Sequence, residues 1–113
     1  MHEMSLAESV LQIIEDTVRV QPFRRVRSVV LEVGALSAVE PEAMTFCFDA
    51  VTRGSLAEGA RLEIVAIPGS GWCMHCGKNV TLHERYGLCP ECGDARVEIT
   101  GGTEMRVRDM EVE

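Results

Sequence analysis

An apolar stripe with helical spacing opens the chain. Its members recur every three or four positions, and the acidic residues between them fall largely on the other side: Leu6, Val10, Ile13, Ile14 and Val18. This pattern predicts an amphipathic helix over about residues 6–20. Ser5 followed by Glu8 is typical of a capping box, and Pro22 forces the residue before it out of helical geometry. Residues 1–4 are therefore expected just ahead of the helix.

Three later segments alternate between apolar and polar positions and predict strands over residues 25–33, 61–67 and 103–112. A second helical pattern lies between the first two strands, at 41–53. Pro41 suits the first position of that helix, and glycine follows its end.

The order helix, strand, helix, strand, cysteine segment, strand predicts an α+β fold class. We expect a small three-stranded sheet with two helices, carrying an inserted four-cysteine zinc-ribbon domain. Glycine-rich turn clusters at 68–71 and 101–102 suggest the boundaries. The prediction is one domain of residues 1–68 plus 102–113 and a ribbon domain of residues 69–101.

Four cysteines form two pairs in the predicted ribbon, each pair separated by two residues: Cys73, Cys76, Cys89 and Cys92. Two intervening residues let both sulfurs of a pair reach one ion, and a glycine follows each pair, which permits the turn. Four thiolates complete a tetrahedron and leave no open position, so a structural Zn2+ ion is expected. Rubredoxin-like iron is the alternative, and its colour would reveal it.

Composition narrows the range of functions. The 113 residues carry a formal charge of −7, and the basic residues are scattered, which argues against nucleic acid as the main ligand. No segment approaches the roughly 20 apolar residues that cross a bilayer, and the N-terminus does not resemble a signal peptide, so we expect no membrane insertion and a cytoplasmic location. Thiols there stay free or bind metal, so the two cysteine pairs are expected to be metal ligands and not disulfides. The fifth cysteine, Cys47, has apolar neighbours and is expected to be a small buried hydrophobe.

Two histidines accompany the cysteine pairs. His75 lies inside the first pair and His83 lies between the pairs. One interpretation places both on the ribbon surface, in contact with solvent. The other makes the metal site sensitive to pH or to a second metal, because an imidazole can replace a departing thiolate.

The first three residues offer a different donor set. A free α-amine, two backbone amides that can lose a proton, and the His2 imidazole lie within Met1-His2-Glu3. Together they can form the four-nitrogen square plane that nickel(II) and copper(II) favour.

The sequence as a whole resembles the hydrogenase nickel-incorporation proteins of the HypA/HybF type over essentially its full length. The resemblance rests on the opening MHEMSLAESV, the central VVLEVGALSAVEPEAM, and the two cysteine pairs followed by a short acidic tail. It implies a nickel metallochaperone for [NiFe]-hydrogenase maturation, with transient Ni2+ and structural Zn2+. It also implies two partners, a nickel-binding maturation GTPase and the hydrogenase large subunit.

Carried over by position, the resemblance makes His2 the nickel ligand, through its imidazole. Backbone nitrogens of His2 and Glu3 join it, with the Met1 amine. Glu3 would support the site or lend a carboxylate, and Glu40 is the carboxylate expected from the loop before the second helix.

A competing hypothesis is a zinc-ribbon adaptor that binds protein without delivering metal. It predicts that replacing His2 has little effect. An enzyme is not expected, because the sequence contains no evident catalytic grouping, phosphate loop or open metal site.

Overall fold

The computed structural model describes residues 2–85 and 87–113. Two helices and six strands follow one another along the described chain: α1 (Glu3–Val20), β1 (Val26–Gly34), α2 (Pro41–Val51), β2 (Arg61–Ile67), β3 (Gly69–Cys73), β4 (Lys78–Leu82), β5 (Val97–Gly101) and β6 (Met105–Val112). The predicted α+β fold class, a three-stranded sheet with two helices and an inserted cysteine ribbon, is confirmed.

The first helix begins three residues earlier than predicted. Its N-cap is His2, and Ser5 lies inside the helix, so the predicted capping box is wrong. A tertiary contact explains the earlier start. Glu3 is buried, and its carboxylate accepts a hydrogen bond from the backbone amide of Glu40, which extends the helix to Glu3. The end at Val20 is as predicted.

The first sheet has the strand order β2-β1-β6, with β1 in the middle. The amide of Ala35 donates to the carbonyl of Ile67, which joins the carboxyl ends of β1 and β2, so these strands run parallel and α2 forms the crossover between them. The amide of Gly34 donates to Glu104 and that of Glu113 to Arg25, so β6 runs antiparallel to β1.

The second sheet has the order β4-β3-β5 and belongs to the cysteine ribbon. Both pairings are antiparallel: Cys73 lies opposite Lys78 on one side and opposite Val97 on the other. The turn predicted at 68–71 is wrong, because residues 69–71 form the first part of β3. Gly71 is buried there, and a Cβ at this position would come within 2.7 Å of Leu82 and Val97 side-chain atoms, so glycine serves close packing in this strand.

The chain forms two compact units. The first contains residues 1–31, 39–64 and 107–113, and the second contains residues 32–38 and 65–106. In the first unit α1 packs against α2, and the largest fully buried side chains include Ile14, Met44 and Phe48. Among the described residues no helix is both long enough and apolar enough to cross a membrane.

The core of the second unit includes a residue from outside the ribbon sequence. Leu36, in the segment after β1, is 2% exposed and belongs to a cluster of buried side chains: Leu36, Cys73, Val80, Leu82 and Cys89. Two of these are cysteines of the predicted zinc site. The core beneath the metal site therefore depends on the loop that leads from β1 to α2.

Candidate metal centres

The structure brings the four ribbon cysteines together. Their sulfur atoms all lie within 4.8 Å of one another, with Cys73 and Cys92 3.6 Å apart and Cys76 and Cys89 3.9 Å apart. Tetrahedral zinc with bonds of about 2.3 Å separates its sulfur ligands by roughly 3.8 Å. The arrangement is thus a four-cysteine cluster consistent with a zinc site.

The glycines that follow the two cysteine pairs have the same backbone geometry. Gly77 and Gly93 adopt φ of 66° and 78°, and each donates its amide to the carbonyl of the first cysteine of its pair at 2.8 Å. Positive φ is accessible to glycine without steric cost, which explains why a glycine follows each pair. The amide of Cys76 also donates to the sulfur of Cys73, and that of Glu91 to Cys89, at 3.4 Å in both cases. These amides stabilise negative charge on the sulfurs.

Two basic side chains flank the cluster. Lys78, just after the first pair, contacts Glu91 of the second pair at 2.7 Å, and this contact raises the pKa of the lysine, as do the thiolates of Cys76 and Cys89. Arg96 is paired with Asp94 at 2.9 Å, and the thiolates of Cys73 and Cys92 add to the rise in its pKa. Each cation therefore lies close enough to interact with the thiolates, and each is also paired with a carboxylate.

The thiols of the cluster differ in proton affinity. A hydrogen bond with Cys92, followed by burial, raises the pKa of Cys76 to about 12. Burial also raises the pKa of Cys89, but amide donors from Cys92 and Glu91 outweigh it and lower that pKa to about 7. The four sulfurs cannot all ionise so close together without a cation, because each thiolate disfavours the next. A divalent cation that accepts thiolates fits this donor set, and with no open position it would supply folding energy rather than chemistry.

The N-terminal donors lie in the other unit. His2 is the N-cap of α1, its side chain is 51% exposed, and it makes no capping hydrogen bond to the described residues. Its carbonyl accepts from Leu6, the first hydrogen bond of the helix. The amides of His2 and Glu3 lie at the helix start, where N–H groups have no partner within the helix.

Glu3 differs from the other acidic residues of the helix, because it is buried. Its Oε2 accepts from the backbone amide of Glu40 at 3.1 Å and lies 3.9 Å from Nε2 of His2. The Glu40 amide, and then the amide of Glu3 itself, hold the pKa of this carboxyl below its usual value. The carboxylate is thus charged and already engaged by backbone donors.

The other proposed nickel-site residues are placed as follows. Glu40 is the N-cap of α2, and its carboxylate accepts from the amide of Glu42 at 3.1 Å. The backbone amide of Glu40 contacts Glu3, through the hydrogen bond already described. Met1 lies outside the described residues.

The remaining candidate residues are two histidines of the ribbon and the fifth cysteine. His75 and His83 are both exposed. Cys47 is 3% exposed on α2 and, like the other four cysteines, forms no disulfide among the described residues. Its burial agrees with the interpretation of this residue as a small hydrophobe.

A protein-family model matches nearly the whole chain. The model for hydrogenase/urease nickel incorporation metallochaperones, HypA, matches residues 1–112. The chain belongs to the HypA family. This membership confirms the resemblance inferred from the opening residues and the cysteine ribbon, and the family is one of metallochaperones that act in hydrogenase maturation.

Individual members of the HypA family are similar over their whole length. The hydrogenase maturation factors HypA of Dechloromonas aromatica and Albidiferax ferrireducens are 62% and 61% identical to this chain over 113 residues, which is all of each protein. The solution structure of the Ni metallochaperone HypA from Helicobacter pylori is 28% identical, with a TM-score of 0.71, covering 99% of this chain and 97% of that one.

Sequence reasoning missed two residues that support the ribbon. They are Arg85 and Leu36, and the guanidinium of Arg85 donates to the carbonyl of Leu36. The single signal in the sequence is an apolar residue in a loop of small and polar neighbours. An apolar residue in such a loop is expected to be buried, but the sequence does not show that its side chain packs into the ribbon core.

Proposed function

We propose that this chain is a nickel metallochaperone that binds Ni2+ at its N-terminus and helps deliver it to the large subunit of [NiFe]-hydrogenase. The observation that carries the proposal is the position of His2. Its imidazole is exposed at the start of α1, next to two amides that the helix does not use. Imidazole, amide nitrogens and the Met1 amine together supply the planar four-nitrogen set that nickel(II) favours.

The two metals have separate tasks in this proposal. Residues 1–68 plus 102–113 form the nickel-binding domain, with His2 as the imidazole ligand. Of these, residues 32–38, 65–68 and 102–106 belong to the compact unit that contains the ribbon. Residues 69–101 form the zinc-ribbon domain, in which Cys73, Cys76, Cys89 and Cys92 bind a structural Zn2+ ion. The closeness of the four sulfurs supports this assignment.

The position of each site suits its task. A terminal segment can take up and release an ion without disturbing a core, whereas the zinc ligands Cys73 and Cys89 are buried in one. Nickel cargo must leave the chaperone, so a site on the first three residues, with the imidazole of His2 exposed, favours transfer. The structural ion must stay, and the burial of two of its four ligands slows its exchange.

The partners follow from the proposed task. A nickel-binding maturation GTPase and the hydrogenase large subunit would receive or relay the ion, in the cytoplasm. The chain itself would catalyse no reaction, because the four-cysteine site leaves no coordination position for a substrate.

Calorimetric titration of Ni2+ into zinc-loaded protein with its native N-terminus tests the proposal. His2→Ala should abolish planar nickel binding while the zinc content stays at one ion per chain. His75→Ala and His83→Ala are matched controls, since both replace an exposed histidine elsewhere. Unchanged nickel binding by His2→Ala would reject the site, and it would favour the zinc-ribbon adaptor, which needs no nickel.

A further inference from the structure

Glu3 is a buried acid at the start of a helix. The residue is 6% exposed, although it follows the exposed His2 and precedes the exposed Met4. A buried carboxylate is unfavourable unless hydrogen bonds or charges compensate for lost water. The groups that compensate for the burial of this carboxylate therefore indicate its role in the structure.

The compensation for this burial comes from the starts of two helices. Oε2 of Glu3 accepts the backbone amide of Glu40, the N-cap of α2, at 3.1 Å. Glu3 is also the first residue of α1. A carboxylate at a helix N-terminus interacts favourably with the unpaired amides and the helix dipole, so both helices stabilise its charge.

The loop that presents the Glu40 amide has an unusual backbone. Ala38 adopts φ of 63°, the only positive φ at a described residue other than glycine. A left-handed conformation is sterically unfavourable for a residue with a Cβ, and it persists where surrounding contacts fix the chain. Ser37 supplies one such contact by donating its hydroxyl to the carbonyl of Gly34 at 2.7 Å.

We infer that Glu3 is a positioning residue for the nickel site and not a ligand. By holding the amide of Glu40, its carboxylate anchors the first turn of α1 and fixes where the His2 imidazole and the two amides are presented. The imidazole nitrogen Nε2 lies 3.9 Å from the carboxylate, beyond hydrogen-bond length, so the ring stays available. If nickel binds the backbone amide of Glu3, that amide can no longer donate to the Glu3 carboxylate. The hydrogen bond from the Glu40 amide to this carboxylate would remain.

This inference rests on the proposed nickel site. The Glu3 carboxylate could position that site or bind the ion directly. Three variants distinguish these two roles. Glu3→Gln keeps an oxygen that can accept from Glu40 but is a poor metal ligand. Glu3→Asp keeps the charge and the ligand chemistry but withdraws the oxygen by one methylene from the Glu40 amide. Glu3→Ala removes both.

The measurements are nickel affinity by calorimetry and the visible absorption of the nickel complex, on zinc-loaded protein with its native N-terminus. We expect Glu3→Gln to bind Ni2+ within about threefold of the original protein, and Glu3→Asp and Glu3→Ala to bind it about tenfold more weakly, since a lost buried hydrogen bond has this order of effect. At saturating nickel all three should show the original spectrum, because the ligands are unchanged. Glu8→Ala, which removes an exposed carboxylate from the same helix, is the matched control.

Other outcomes overturn the inference in distinct ways. If Glu3→Gln is as weak as Glu3→Ala and its spectrum shifts, the carboxylate is a ligand. If all variants bind as the original does, Glu3 has no role in nickel binding, while the nickel site itself stands. If the original protein shows no His2-dependent nickel binding, the proposed function fails and this inference with it.

Discussion

The guanidinium of Arg85 donates two hydrogen bonds to the carbonyl oxygen of Leu36, from Nη2 at 3.0 Å and from Nε at 3.3 Å. The two residues are 49 positions apart. This contact holds the backbone of Leu36 while its side chain lies among the buried residues around Cys73 and Cys89. The segment between β1 and α2 is therefore a structural part of the ribbon.

Leu36→Ala should loosen the zinc site without touching a ligand. Truncating a buried leucine costs about 2–5 kcal/mol, because apolar contacts are lost and a cavity remains. We expect the variant to release Zn2+ to a colorimetric chelator several-fold faster than the original protein. Leu88→Ala is the control, as Leu88 lies in the ribbon but is 60% exposed. Equal release rates for the two variants would contradict the role of Leu36.

Removal of the metal should unfold the ribbon. Structural zinc sites in small domains contribute on the order of 10 kcal/mol or more, and the ribbon core contains few large side chains. Chelation should abolish the protection of strands β3, β4 and β5 against amide exchange, while α1, with its own buried residues, keeps its protection. Readdition of Zn2+ should restore the ribbon. Persistent protection of the ribbon without metal would show that its apolar core suffices.

The sequence predicted the parts of the fold that depend on local spacing. The cysteine tetrad is one example, since two residues between ligands and a glycine after each pair define a knuckle within five positions. The start of α2 is another, because Pro41 and its N-cap Glu40 are adjacent. Such features need no knowledge of the distant chain.

The features that sequence reasoning missed depend on distant contacts. The helix starts at Glu3 and not at the predicted capping box because the amide of Glu40, 37 positions away, donates to the Glu3 carboxylate. Leu36 enters the ribbon core across a similar separation. Periodicity indicates that a residue is buried, but it does not identify the partner, and so it could not distinguish Glu3 as an anchor from Glu3 as a ligand.

Gly34→Ala should be much more destabilising than an alanine at a glycine in open space. A Cβ on Gly34 would lie 2.2 Å from the carbonyl oxygen of Gly102, and the atoms it meets are all backbone, which cannot swing aside. We expect a loss of roughly 2–4 kcal/mol in the free energy of unfolding. Gly54→Ala is the control: its φ of 78° costs about 1 kcal/mol, but no atom lies within 4 Å of the added carbon. Thermal unfolding of both zinc-loaded variants compares them, and a similar loss in each would contradict the close approach.

Cysteine replacements should separate metal binding from packing. Cys73→Ser removes a thiolate from the tetrad, so zinc should be lost during dialysis against a chelator that leaves the original protein loaded. Cys47→Ser buries a hydroxyl in an apolar site at 3% exposure, which costs about 1–3 kcal/mol of stability. Residue 47 lies in the other compact unit, so the Cys47→Ser protein should retain one zinc ion per chain. Metal analysis and thermal unfolding of both variants give the two readouts. Zinc loss from Cys47→Ser at a temperature where the protein is folded would mean that this thiol also serves the metal.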